Sequence, residues 1–437
     1  MRRLTLPSAV ARWAVRNARI PTALLRDPAG RPDGEGLVGL DLIIDGDRIA
    51  AVGPGLDLGD LPFVDAGLGM VLPCPVDIHT HLDKGHIWPR APNPDGTRDR
   101  AIETVGADRA AHWTAEDVRA RMEFGLACAY AHGTAAIRTH LDSLGPQIRI
   151  SWPVFGEIRD RWRDRIDLEA TPLFGIEFAL DDAHLAAVAE MVGEFGRVLG
   201  AVTYPGAVLR PALDRMFRLA ADKGWDLDFH IDETGDASVN TLATVAETAL
   251  AHRFEGKILA GHCCALSLLP EDERRRTIDL VARAGIAVVS LPMCNMYLQE
   301  REEGTPRWRG TTAFKELAEA GVPVMIASDN TRDSFYAHGD LDMAEVWREG
   351  TRILHLDHPF GDWARTVAAT PADVMRRPER GRIGAGLPAD FILFTARTMT
   401  EWLARPQSDR IVIRRGRPIA AVPPFYAALD HLEGLKP

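Results

Sequence analysis

Eight short apolar runs, each ending in a polar or histidine-bearing turn and followed by a helical stretch, constrain this chain more than any other feature. They are MVLPCPVDIH, GTAAIRTH, IDLEATPLFGI, VLGAVTY, WDLDFHID, KILAGHC, GIAVVSLPM and VPVMIASD. From the third onward they recur about every 30 residues, the length of one βα unit, and the segments between carry apolar residues at helical spacing, as in Val118, Met122, Leu126 and Ala129. Continuous apolar strands alternating with helices predict a closed parallel (β/α)8 TIM barrel. Both ends of the chain read differently. LDLIIDGDRIAAV, with Asp45-Gly46 as turn chemistry, and FVDAGLGM at one end, and GRIGAGLPADFILF and RIVIRRGRPIAA at the other, are short strands without helices between them. The expected organisation is therefore residues 1–69 and 379–437 forming one small β-sandwich from both termini, with residues 70–378 forming the barrel. The Pro/Gly-rich segment 86–97 reads as a loop over the barrel mouth.

Composition narrows the partners. With 51 Lys+Arg against 62 Asp+Glu the net charge is −11, and the basic residues are dispersed, so there is no stripe for a nucleic-acid backbone or an anionic lipid surface. No run reaches the ~18 apolar residues of a membrane span. Arg12, Arg16 and Arg19 interrupt what would be a signal-peptide core, so a cytoplasmic location is expected. Five cysteines without CxxC spacing argue for reduced, mostly buried thiols. Self-association is left open.

In an α/β barrel the carboxyl ends of the strands open on one face, where catalytic groups collect. His79 and His81 close the first run, and strand alternation puts both on the same side. With 14 histidines in the chain an HxH pair is weak alone. His230 and Glu233 end the fifth run, His262 the sixth, and Asp329 the eighth. Each has an ordinary reading: a hydrogen-bonded core histidine, a solvated acid, a helix cap. Their joint occurrence at equivalent strand ends points instead to a metal site. Imidazoles and a carboxylate suit one divalent ion, Zn²⁺ or Fe²⁺, which acidifies a water toward pKa ~7. Glu233 can move that water's proton to a leaving nitrogen, and His262 with Asp329 can hold or polarise the attacking oxygen. The reaction class is hydrolytic attack on an electrophilic carbon with loss of an amine.

HTHLDK, FHIDE, GHC, LPMCNMYLQ with its following arginines, and ASDNTRDSFY, in that order, resemble the amidohydrolase superfamily. Within it the likeness is to the cytosine deaminase branch, which includes the N-isopropylammelide amidohydrolases. The resemblance spans nearly the whole chain. It implies a mononuclear metal held by His79, His81, His230 and Asp329, with Glu233 as proton shuttle and His262 beside the hydroxide. It also implies a small heterocyclic substrate, a cytosine-like base losing ammonia or an aminotriazine losing an alkylamine. Binuclear members bridge their ions with a lysine at the end of strand four, where this chain has Thr203 to Gly206 and no lysine. Lys84 reads as a supporting residue. Every ligand position is filled, which speaks against a non-catalytic binding protein on the same barrel.

Departures from the cytosine deaminase pattern fall in the pocket. Asn330 replaces a second aspartate, Glu177 stands where a ring-binding glutamine is expected, and Phe335 replaces a tryptophan. Asn330 both donates and accepts, so the ring edge it fits should differ from that of cytosine. Gln299 is the expected polar ring contact after strand seven, in a segment with Met293, Met296 and Tyr297 that should line the pocket. For Met293 core packing is the favoured reading, and His86 and Trp88 read equally as a cover for the ligand or as surface packing.

Overall fold

The computed structural model describes residues 11–433. The first ten residues, on which the reading of the amino terminus partly rests, and the last four lie outside it. The chain divides into two compact units. One comprises the described residues up to Asp77 with Ala127–Ala136 and Asp342–Pro423; the other comprises Ile78–Leu126, Ile137–Leu341 and the segment from Pro424.

The first unit begins with β1 (Arg12–Pro21), β2 (Leu37–Asp45), β3 (Arg48–Gly53), β4 (Phe63–Asp65) and β5 (Val71–Pro73). β1 and β2 pair antiparallel, and β2 and β3 form the hairpin expected at Asp45-Gly46, with Gly46 at φ 60° supplying the left-handed turn residue.

Eight strands follow: β6 (Val76–Thr80), β7 (Ala136–Asp142), β8 (Asp167–Leu173), β9 (Val198–Val202), β10 (Asp226–Ile231), β11 (Ile258–His262), β12 (Ile286–Ser290) and β13 (Val324–Ile326). They correspond to the eight apolar runs. β9 to β13 form a parallel five-stranded sheet, and β6, β7 and β8 a three-stranded one. The two sheets meet at their carboxyl ends. Val202 N donates to Phe174 O at 2.8 Å and Asp329 N to His79 O at 2.8 Å, within parallel bridges Gly175–Val202 and Thr80–Asp329. The result is a TIM-barrel-like fold.

β14 (Phe391–Leu393), β15 (Ile411–Arg414) and β16 (Arg417–Pro418) complete the terminal unit. Its two four-stranded sheets run β3-β2-β1-β4 and β16-β15-β14-β5. They share one apolar core, with Trp13, Val15, Ile20 and Leu42 from the first and Val71, Phe391, Leu393 and Ile413 from the second.

Two boundaries differ from expectation. The run MVLPCPVDIH is two strands, because Pro73 and Pro75 cannot donate to a ladder and break it; β5 pairs with β14, and only β6 joins the barrel. Residues 342–378 group with the terminal sheets. Trp347 of helix Met343–Leu354 packs against Trp402 with ring centroids 4.4 Å apart, and Arg410 grips Asp342 with both guanidinium nitrogens at 2.7 and 2.5 Å. All five cysteines are buried, and none forms a disulfide. Among the described residues no helix is long and apolar enough to cross a membrane.

Candidate active site

The polar residues at the strand ends converge. His79 projects from β6 and His81 directly follows it, His230 projects from β10 and His262 from β11, and Asp329 follows β13. All five side chains belong to residues no more than 6% exposed. His81 Nε2 lies 3.0 Å and His79 Nε2 3.5 Å from Asp329 Oδ1, and His230 Nε2 lies 3.4 Å from His81 Nε2. Gly261 makes room for this packing, since a Cβ there would sit 2.9 Å from His79 Cε1. Asp232, His262, Cys263 and Asp329 all have φ between 49° and 67°. For non-glycine residues that backbone costs of order 1–3 kcal/mol each and is characteristic of functional sites.

The donor set fits a divalent cation. Both ring nitrogens of His79, Nδ1 of His81, Nδ1 of His230 and both carboxylate oxygens of Asp329 are buried without a hydrogen-bond partner, a costly state unless something else binds them. Burial holds His79, His81 and His230 well below the usual imidazole range, so they stay neutral, the form that ligates. Burial, with Glu233 nearby, pushes Asp329 far up, a penalty that a cation at its oxygens relieves. Among the described residues two groupings could hold an ion, His79 with His81, His140 and His230, or His79 with His262 and Asp329. His140, within β7, is the less available ligand, because its Nε2 lies 3.3 Å from Asp228 Oδ1 and its Nδ1 3.4 Å from Thr80 O.

Beside this cluster lies a cavity of about 150 Å³. Glu233 lines it, and its carboxylate receives Arg98 Nε at 2.8 Å and Asn295 Nδ2 at 3.4 Å. Burial would raise Glu233, but His262 and Arg98 more than offset it and hold the carboxyl below its ordinary range. Val105, Leu144, Leu173, Phe174 and Phe335 also line the cavity, together with the charged Lys84, Arg98, Arg109 and Asp142. A buried acid and converging unsatisfied metal donors beside a cavity of this size together suit metal-assisted hydrolysis of a small molecule.

A family model described as the amidohydrolase family matches residues 155–420. The chain is 51% identical over 430 residues, 98% of both chains, to a pterin deaminase of Rhizobium rhizogenes. The chain belongs to the amidohydrolase family. It is also 25% identical over 388 residues, 86% of this chain and 92% of the relative, to an N-isopropylammelide isopropyl amidohydrolase of Pseudomonas sp.. Among solved structures, a 5-methylcytosine deaminase from Klebsiella pneumoniae superposes with TM-score 0.80 at 22% identity, covering 94% of this chain and 97% of that one. An N-isopropylammelide isopropylaminohydrolase from Burkholderia multivorans superposes with TM-score 0.75 at 25% identity, covering 94% and 98%.

In this amidohydrolase the residues singled out from sequence divide into two sets. His79, His81, His230, His262, Glu233 and Asp329 come together, and Asn330 and Phe335 line the cavity. Gln299 and Glu177 do not line it. Gln299 is buried against Gly310, where its Cγ lies 2.7 Å from a would-be Cβ, and Glu177, in the short helical turn Ile176–Leu180, is exposed with its carboxylate beside Gly175. Met293, Met296 and Tyr297 are also absent from the cavity wall: Met293 is core, Met296 is 49% exposed, and Tyr297 packs on Tyr336. His86 is buried against Phe124, 4.6 Å between ring centroids, so it is packing and not a cover. Lys84 lies 3.4 Å from Asp142 and 4.9 Å over the Phe335 ring, which fits a supporting role. Sequence reasoning missed Arg98, Ile102 and Arg109, which helix Arg98–His112 brings to the cavity after the mouth loop, and Asn295 after β12. The motif LPMCNMYLQ held Asn295 in view, but no spacing rule distinguishes it from its neighbours.

Proposed function

We propose that this amidohydrolase deaminates a pterin: water adds at the amino-bearing C2 of the 2-amino-4-oxo ring, the carbon–nitrogen bond breaks, and a 2,4-dioxo ring and ammonia leave. The observation that carries this is the 51% identity to a pterin deaminase across 98% of both chains. The pyrimidine half of a pterin presents the same amidine carbon as cytosine, so the cytosine-like reading of the motifs and the pterin reading call for one chemistry.

On this reading one divalent ion is held by His79, His81, His230 and Asp329. When bound, such an ion supplies Lewis acidity that makes a water nucleophilic near neutral pH. Glu233 takes the proton of the attacking water and delivers it to the departing nitrogen, and Arg98 keeps the carboxylate aimed and ionised for the first transfer. Phe174, Phe335 and the aliphatic residues lining the cavity flank the ring and exclude bulk water.

The test is ammonia release from pterin, cytosine, 5-methylcytosine and ammelide, with isopropylamine release from N-isopropylammelide assayed beside it. The expected outcome is the highest kcat/KM for pterin. A higher value for cytosine or for N-isopropylammelide would replace pterin as the substrate class. Glu233→Gln in the same assay should lower kcat by at least ~10²-fold with metal content unchanged.

A further inference from the structure

Three polar atoms form a small triangle beside the cavity that His262 and Glu233 line. Asn295 Nδ2 lies 2.9 Å from His262 Nδ1 and 3.4 Å from Glu233 Oε1, and His262 Nδ1 lies 3.4 Å from the same Oε1. Asn295 is fully buried in the helix Pro292–Leu298. Its backbone is fixed as well: its N–H donates to Leu291 O and its carbonyl accepts from Gln299 N, both at 2.9 Å. Gly310, at φ 70°, lets that helix approach, because a Cβ there would lie 2.7 Å from Asn295 O.

An amide nitrogen carries two hydrogens and accepts nothing, so at 2.9 Å from an imidazole nitrogen it must donate. We propose that Asn295 is a positioning residue that fixes His262 as the Nε2–H tautomer. One amide hydrogen occupies the lone pair of His262 Nδ1 and the other goes to Glu233 Oε1, so the imidazole's single proton sits on Nε2. The opposite tautomer would set two N–H groups against each other. Turning the amide over would place its oxygen against the Glu233 carboxylate and remove a donor from it. His262 Nε2 is buried without a protein partner, and His262 lines the cavity. A proton there makes His262 a hydrogen-bond donor toward an oxygen at the reacting carbon. It also takes His262 Nε2 out of the set of possible metal ligands, which favours His79, His81, His230 and Asp329 as that set.

This inference rests on the hydrolytic reading of the site, but its decisive measurement needs no turnover. In zinc-loaded protein with ¹⁵N-labelled histidine, the long-range ¹⁵N–¹H pattern of His262, assigned by its loss in His262→Gln, should show a protonated Nε2 and an unprotonated Nδ1. The reverse pattern would overturn the proposal. Asn295→Asp, nearly the same size, can only accept when ionised, so it should move the proton to Nδ1. Its kcat should then fall at least about tenfold below that of Asn295→Ala, with KM little changed, because a histidine held in the wrong tautomer loses orders of magnitude in rate. Equal kcat for the two variants, or a higher one for Asn295→Asp, would reduce Asn295 to packing. If the tautomer is as stated and no substrate turns over, the fault lies with the proposed reaction and not with this assignment.

Discussion

Two buried polar clusters in the barrel unit are built from similar material and end in opposite states. Around Arg90 every charge is matched. Its guanidinium bonds Asp108 at 2.9 and 3.0 Å and Asp117 at 2.6 and 3.1 Å, Trp113 Nε1 adds a bond to Asp108 at 2.7 Å, and Arg121 Nε reaches Asp117 at 2.8 Å while lying 4.9 Å over the Trp113 ring. Around His79 and Asp329 the reverse holds, with ring nitrogens and both carboxylate oxygens lacking hydrogen-bond partners. The Arg90 cluster is the shallower of the two, with side-chain exposures of 10% at Arg90 and 6% at Asp117 against none at His79 and Asp329, so the deeper cluster is the one without partners. Satisfaction, and not polarity, therefore separates a cluster that holds the fold from one that can take a ligand.

The sharpest way to break this contrast is to take the cation away. The unsatisfied cluster should bind about one divalent ion per chain, and removing it should lower turnover to background, with reloading restoring it. Asp329→Ala should lose the ion as well as the activity, as metal analysis beside the ammonia assay would show. Full activity after verified removal, or two essential ions, would mean that the orphaned atoms have been misread.

The satisfied cluster should respond in stability and not in chemistry. Asp117→Ala leaves Arg90 and Arg121 short of a buried partner, which costs about 3–5 kcal/mol, readable as a lower urea midpoint, while kcat of the folded protein stays within about twofold. The pH dependence has a definite sign. Burial would raise Asp117, but Arg90 and Arg121 outweigh it and leave the carboxyl below its usual range. A depressed carboxyl contributes stability that is fully present above its unfolded value, near ~3.9, and is lost as pH falls through the lower folded value. The gap between wild type and Asp117→Ala should thus be widest at neutral pH and narrow below about pH 4. A variant of normal stability with impaired turnover would erase the distinction between the clusters.

The unsatisfied cluster was far more legible in the sequence than its surroundings. Strand ends are marked by apolar runs, so HTH, FHIDE, GHC and SDN announced which side chains share a face. His140 carries the same mark, at the end of GTAAIRTH, and went unread because its neighbours form no repeated spacing. Arg98 and Asn295 could not be read. They reach Glu233 and His262 from a mouth helix and a short helix whose placement depends on tertiary packing, including the approach that Gly310 permits. Glu177 and Gln299 failed for a related reason. Their positions along the chain were right for pocket residues, but a helical turn and the contact with Gly310 direct their side chains elsewhere. The split of the first run into β5 and β6 was written in its two prolines and overruled by its hydrophobicity.

The smallest expected effect lies at Asn330, which stands between the two clusters in kind. Its Nδ2 donates to Asp333 Oδ2 at 2.7 Å, as in a satisfied network, yet the residue also lines the cavity, where the amide's remaining hydrogen and its oxygen can meet a ring edge. Cys294 Sγ, 3.8 Å from Oδ1, is a weak competitor. Asp333 is pushed up to about 6 by burial, against the pull of Lys84 and of Asn330 itself. In Asn330→Asp the donor to Asp333 is gone, and two adjoining buried carboxylates would share one proton. The cavity edge then loses a donor that a ring carbonyl or unprotonated ring nitrogen can use. A mispaired buried group of this kind costs ~1–3 kcal/mol, so the ratio of kcat/KM between pterin and a second heterocycle the enzyme turns over should move by about fivefold or more, with metal content unchanged. A parallel fall for both substrates would show that Asn330 serves Asp333 alone. Asn330 would then belong with Arg90 and Asp117 among the groups that hold the fold, and the pocket's choice of ring would have to be sought at Arg98 and Phe335.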